Sequence, residues 1–169
     1  MKSQLCNFCL KSGILCTNCQ KKVKHGEISE TYLRIARFLL SLESKYSYLQ
    51  DLDLRKAVEA QGVLLLIVGP GDASRLLGYG GKIIRALREE TGLRIRVLED
   101  GVDDRKFLED LFAPFTILTI NTIWLPDGTT ETRVILRQRG RRAPPININA
   151  MKAIAKKVRN MVLRIEFSR

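Results

Sequence analysis

Histidine occurs once, at His25, tryptophan once, at Trp124, and cysteine not at all beyond residue 19. So small a stock of imidazole removes the commonest general base, and no pair of carboxylates lies beside a recognisable loop, so the chain is expected not to be an enzyme. No apolar run approaches the roughly 18 residues of a membrane span, the longest being residues 63–68. The N-terminus lacks the basic, apolar, small-residue order of a signal peptide, which gives the expectation of a soluble, cytoplasmic protein with no membrane partner. Acidic residues are missing from both ends: residues 1–26 carry five Lys and no acid, and residues 133–169 carry 11 Lys or Arg against Glu166 alone. Between them, residues 27–132 hold 13 basic and 17 acidic residues, so the net charge of +11 is concentrated at the two ends. That distribution points to a polyanionic partner bound through counterion release.

At 169 residues the chain is long enough for one ordinary domain, or for two small ones with an appendage. All four cysteines sit at its start, as Cys6-x2-Cys9-x6-Cys16-x2-Cys19. Each Cys-x2-Cys pair can present two thiolates to one metal from a tight knuckle, and four thiolates with none left over describe a closed tetrahedral Zn²⁺ site with a structural role. An iron–sulfur or redox role and a disulfide-linked form are the alternatives. With almost no apolar core of its own, such a finger is expected to unfold on chelation. His25 is read as a basic-patch residue and not as a further ligand.

Lys21, Lys22 and Lys24 come next, and an amphipathic helix is expected from near Ser29, with Ile28, Tyr32, Ile35, Ala36, Leu39 and Leu42 among its apolar residues. It is read as a tether between the finger and the next domain. Residues 44–53 read as a connection in which Tyr46 and Tyr48 pack partly against the helix, with base stacking as the alternative. A second short helix is expected over Leu54–Ala60, closed by Gly62. The apolar run 63–68 reads as a buried strand, Gly69-Pro70-Gly71 as a sharp turn, and residues 93–98 as a half-buried strand with basic residues on its open face.

Between those strands lies Leu76-Leu77-Gly78-Tyr79-Gly80-Gly81-Lys82-Ile83-Ile84-Arg85-Ala86-Leu87, read as a short helix, a glycine turn and a second helix ending at Gly92. A nucleotide-binding phosphate loop would need glycine at position 76 and Ser or Thr at position 83, where the chain has Leu76 and Ile83. A dinucleotide fingerprint would place its third glycine where Ile83 stands. What fits is a clamp on a sugar-phosphate backbone, with Gly78 and Gly81 removing Cβ atoms where that backbone would approach.

Further on, Asp103 to Ala113 reads as a helix stopped by Pro114. Residues 115–125 and 130–137 read as a hairpin turned by Pro126-Asp127-Gly128-Thr129, with Trp124 taken as packing and base stacking kept as the alternative. Residues 137–145 bring four arginines, one glycine and two prolines into an exposed loop suited to phosphate contact and base stacking. From Asn149 a last helix carries Lys152, Lys156, Lys157 and Arg159 on one side, and a strand is expected over residues 163–167.

The apolar pair, the GxxG turn at 78–81, Ile84 and Leu87 match the signature of KH domains, whose GxxG loop clamps about four nucleotides by their backbone. Residues 63–167 resemble the tandem KH region of NusA transcription factors in its archaeal form. Asp104-x2-Phe107-Leu108 to Ala113-Pro114 is similar to the segment linking the two repeats there. No second GxxG stands where the second repeat should carry one; Arg139-Gly140-Arg141-Arg142 occupies that place. Tyr79 also departs from the Lys or Arg common between the glycines, which shifts backbone charge contact onto Lys82 and Arg85. The resemblance implies an α+β chain: a four-cysteine zinc finger at 1–26, linking helices at 27–62, a type II, NusA-like KH domain at 63–113, and a degenerate second KH-like module at 114–169. It also implies single-stranded RNA binding through Gly78, Tyr79, Gly80, Gly81, Lys82, Arg85, Arg139, Arg141 and Arg142. Bases would lie against Leu76, Ile84 and Val97. The expected setting is transcription elongation or termination on nascent RNA beside RNA polymerase, with a ribosome-bound role on rRNA as the alternative.

Overall fold

The computed structural model describes residues 1–137 and 146–168. By its internal contacts the chain divides into two compact units, one of Met1–Glu59 with Leu64–Gly101 and one of Ala60–Val63 with Val102–Arg169.

The first unit begins with two short helices, α1 (Asn7–Ser12) and α2 (Thr17–Lys24), each starting directly after a cysteine. Next comes α3 (Glu30–Glu43), capped by Ser29, whose hydroxyl accepts from the Tyr32 N–H. A 3-10 turn at Ser47–Asp51 leads into β1 (Leu54–Ala60) and β2 (Val63–Val68). Then follow α4 (Ala73–Leu77), the glycine turn, α5 (Lys82–Thr91) and β3 (Arg94–Glu99), with strand order β1-β2-β3.

Residues 54–60 correct the expectation of a second linking helix. Leu, Arg, Lys, Ala and Glu are good helix formers, and Leu54, Ala57 and Val58 have helical spacing, but pairing beside the wholly buried β2 outweighs propensities worth only tenths of a kcal/mol each. The two strands are joined through Gln61 and Gly62, both at positive φ (46° and 81°), which suits a two-residue hairpin.

The four-cysteine segment is not a free appendage on a tether. Leu5, Cys9, Leu10 and Cys19 belong to one buried cluster with Tyr32, Ile35, Ala36 and Leu39 of α3 and with Leu54, Leu64 and Leu66 of the sheet. Burying each Leu or Ile contributes about 1.5–3 kcal/mol, so this shared core gives the cysteine segment support that needs no metal. Polar ties reinforce it. Lys2 exchanges backbone bonds with Leu52 and Leu54, Gln4 Nε2 donates to the Arg55 carbonyl at 2.6 Å, and Arg37 donates to the Gly13 carbonyl at 2.8 Å.

In the second unit, α6 (Asp104–Phe112) is capped by Asp103, and β4 (Thr116–Trp124) pairs antiparallel with β5 (Thr130–Arg137). After it come α7 (Ile148–Arg159), capped by Asn147, and β6 (Leu163–Ser168), which pairs parallel to β5. Its buried residues include Phe107, Leu111, Phe112, Val134, Leu136 and Ile154. Trp124 is 76% exposed at the hairpin end, against the reading of it as packing. Among the described residues no helix is long and apolar enough to cross a membrane.

Candidate nucleic-acid interface and cysteine cluster

The glycine turn is built from the end of α4. The Gly78 N–H donates to the Ser74 carbonyl at 2.8 Å, and a Cβ on Gly78 would stand 2.5 Å from that same oxygen. Glycine is therefore required at 78 by the chain's own helix end, whatever its missing Cβ does for a ligand. Tyr79, Gly80 and Gly81 then follow at φ of 54°, 72° and 69°. Three successive left-handed residues reverse the chain between α4 and α5. At Gly80 and Gly81 a Cβ would meet nothing within 4 Å, so both face open space. At Tyr79 the same conformation costs about 1–2 kcal/mol, because a Cβ crowds the following carbonyl.

Of the expected cations, Lys82 is exposed at the start of α5, where the helix dipole also favours an anion. Arg85 is exposed as well, but its Nη2 donates to the Gly80 carbonyl at 2.7 Å, so it braces the turn from behind. Arg88, one turn further along α5, is exposed too. The apolar contacts shift by one residue from expectation. Leu76 is 0% exposed and locked in the core, whereas Leu77 is 54% exposed beside Gly78. Ile84 and Val97 are half-buried, packed against the core. Arg139, Arg141 and Arg142 lie outside the described residues.

Sequence reasoning missed the polar lacing that carries the 3-10 turn to this site. Asp72 accepts from the Asp53 N–H at 2.9 Å and from Arg75 Nε at 3.0 Å, while Arg75 Nη1 donates to the Tyr48 carbonyl at 3.1 Å. That arrangement sets the Tyr48 ring against Tyr79, centroids 4.0 Å apart and planes 13° from parallel. The only hint in the sequence was the tyrosine at a position where a cation was expected.

The four cysteines converge as their spacing requires. Cys6 and Cys16 stand immediately before α1 and α2, and Cys9 and Cys19 lie in the first turns of those helices. All four Sγ atoms lie within 4.8 Å of one another, with Cys6 and Cys9 3.2 Å apart and Cys6 and Cys16 4.0 Å apart. At a Zn–S distance of about 2.3 Å, tetrahedral thiolates sit just under 4 Å from each other, so the cluster fits one metal ion. The Cys16 N–H donates to Cys9 Sγ at 3.0 Å, the kind of bond that stabilises a thiolate. The backbone N–H of Cys19, followed by the Cys9 and Cys19 thiols, brings Cys16 down to about 6. Cys6 is also lowered, first by the Cys9 N–H. The Cys16 N–H, the largest single influence, lowers Cys9, but burial and the hydrogen bonds to the other thiols together outweigh it and push Cys9 up to about 12. His25 is exposed and outside the four-sulfur group.

Residues 64–120, which include the whole turn and both its helices, match the KH domain family. The chain therefore contains a KH domain within an α+β structure, a module class that binds single-stranded nucleic acid. A protein of Methanocaldococcus jannaschii named as a probable transcription termination protein NusA is 30% identical over 59 residues, 35% of this chain and 31% of that protein. The match thus spans about a third of that relative. The crystal structure of APE1850 superposes with a TM-score of 0.53 at 19% identity, covering 78% of this chain and 96% of that one, a likeness of fold alone.

Proposed function

We propose that this chain is a single-stranded RNA-binding protein of the NusA-like KH type, acting on nascent transcripts in elongation or termination. The observation that carries the reading is the turn itself: two adjacent glycines at left-handed φ, open to solvent, between a helix end and the lysine that starts α5. Backbone phosphates would lie along Gly80, Gly81 and Lys82, with bases toward Leu77, Ile84 and Val97. The order α3, β1, β2, α4, turn, α5, β3 supports the type II form, which places the KH repeat from α3 to β3 and absorbs the linking segment into it. Among the described residues unit two runs α6, β4, β5, α7, β6, part of the same order, and its sequence carries no second GxxG; both support a degenerate KH-like module whose RNA contacts would fall to the arginines of 139–142. The similarity to a probable NusA favours transcription as the setting, with RNA polymerase as a partner. In this reading the chain has no catalytic role.

The four thiolates would hold Zn²⁺, which offsets half of their charge and fixes α1 and α2 to the shared core without an open coordination position.

Gly80→Asp with Gly81→Asp tests the clamp. Both positions have space, and Asp is among the residues that reach a left-handed φ at modest cost, so the variant is expected to lose some stability and keep its fold while carboxylates confront the phosphates. Loss of binding to single-stranded RNA with unchanged circular dichroism is the expected result, and undiminished affinity removes the clamp. Crosslinking in cells and sequencing of the bound RNA tests the setting, with nascent transcripts expected over rRNA.

A further inference from the structure

Tyr79 is the one residue of the glycine turn that combines a left-handed backbone, a large planar side chain and an open surface. Its φ is 54°, its exposure 61%, and one ring face is already covered by Tyr48 in a near-parallel stack. Tyr48 is in turn fixed by the Arg75 bond to its carbonyl and flanked by Tyr46, whose ring centroid is 5.8 Å away and tilted by 44°. The Lys45 ammonium sits 5.4 Å from the Tyr46 ring. An aromatic series thus runs from the 3-10 turn to the tip of the clamp, held in place by bonds that need no ligand.

Such a stack ends on an unpaired ring face. A bulky residue at positive φ is uncommon, and where surrounding structure holds one there, the conformation is a pointer to function. The neighbouring groups narrow what could complete the stack. Lys82, three positions along, is an exposed cation, and Gly80 and Gly81 leave room for a backbone, so the occupant carries both an anionic chain and a planar group. A nucleotide of a single strand has both.

We propose that Tyr79, backed by Tyr48, is a stacking platform for a nucleobase of the strand held at the glycine turn. The proposal rests on the RNA-binding reading and adds a base contact to a site otherwise read as gripping backbone. Because every base offers a π face, the contact is sequence-tolerant, and losing it weakens binding by roughly 5- to 150-fold.

The test uses the full chain with Tyr79→Asn, which suits the left-handed backbone but has no ring, and with Tyr79→Phe, which keeps the ring. Probes are oligo(A) and a chemically stable abasic strand of the same length. The wild type and the Phe variant should prefer oligo(A) to the abasic strand, and the Asn variant should lose both affinity for oligo(A) and most of that preference. If the Asn variant binds oligo(A) as tightly as the wild type while the Gly80→Asp, Gly81→Asp protein does not bind, the clamp stands and the platform is overturned. A fall in affinity that is equal for both strands also overturns it, since Tyr79 then only shapes the turn. Should the wild type bind neither strand at low salt, the RNA-binding reading itself fails.

Discussion

Arg85 reaches back from α5 to the carbonyl of Gly80, Nη2 to oxygen 2.7 Å, and so ties the tip of the glycine turn to the helix that follows it. Three successive residues at positive φ have few backbone bonds of their own, the Gly81 N–H to the Gly78 carbonyl at 3.0 Å being one. A guanidinium on the outer carbonyl therefore supplies much of the order that a phosphate clamp needs beforehand.

Arg85→Ala is expected to weaken single-stranded RNA binding by about 2- to 10-fold, corresponding to the ~0.5–1.5 kcal/mol net worth of one hydrogen bond. If Arg85 acts as a brace, the salt dependence of binding is unchanged by the substitution. Were it a phosphate contact, the log–log slope would shrink by about 0.7. Fluorescence anisotropy across a salt series separates the two.

Gly78→Ala should damage stability where Gly80→Ala and Gly81→Ala act through backbone strain alone. At 78 the new Cβ falls 2.5 Å from the Ser74 carbonyl oxygen, a backbone atom that moves only with α4. Overpacking of this sort costs about 1–3 kcal/mol. Urea unfolding of the three variants should place the Gly78→Ala protein lowest, and equal midpoints would show that α4 can shift to accommodate it.

These positions also show what sequence could and could not convey. The turn was legible because its flanks repeat apolar residues at helical spacing and end in glycines at 78, 81 and 92. The spacing did not fix the register of burial, so Leu76 was assigned to the groove when Leu77 is the exposed one. Residues 54–60 read as helix because the strand depends on pairing with β2 and on the distant Lys2 bridge to Asp53, neither of which shows in the segment's own helical spacing. The clustering of the four cysteines was plain from spacing alone, whereas the shared core with α3 was not, since Leu5 and Leu10 have no periodic partners nearby. Nor does any local pattern announce that Arg75 and Asp72 bring Tyr48 to Tyr79.

Metal removal is expected to reach beyond the finger. Cys9 and Cys19 are buried in the same cluster as Ile35, Ala36 and Leu39, so freeing α1 and α2 strips cover from α3. A strong chelator should raise amide hydrogen exchange through residues 5–24 and then along α3, and lower the thermal midpoint by several degrees. Exchange confined to residues 5–24 would instead mark the finger as an independent element. Inductively coupled plasma mass spectrometry should find about one zinc per chain in the untreated protein.

Tyr32 supplies the last test, because its hydroxyl joins the finger's leading segment to the sheet. It accepts from the Gln4 N–H at 2.9 Å and donates to the Leu54 carbonyl at 2.7 Å, while the ring is buried. Tyr32→Phe leaves both partners without it, and is expected to cost about 1–3 kcal/mol near neutral pH. Burial, first of all, raises the Tyr32 pKa, since a phenolate there would lose its water. A raised folded-state pKa means that the hydroxyl's stabilisation is complete below the unfolded value near 10 and is lost as pH climbs through the folded one. Ionisation also removes the proton that bonds Leu54. The stability gap between wild type and the Phe variant should therefore be constant from neutral pH to about 9 and close at higher pH. Denaturant titrations of both proteins across that range measure it directly. No gap at neutral pH would show that the hydroxyl bonds contribute nothing, and a gap that persists undiminished in strong alkali would show that ionisation of Tyr32 is not linked to folding.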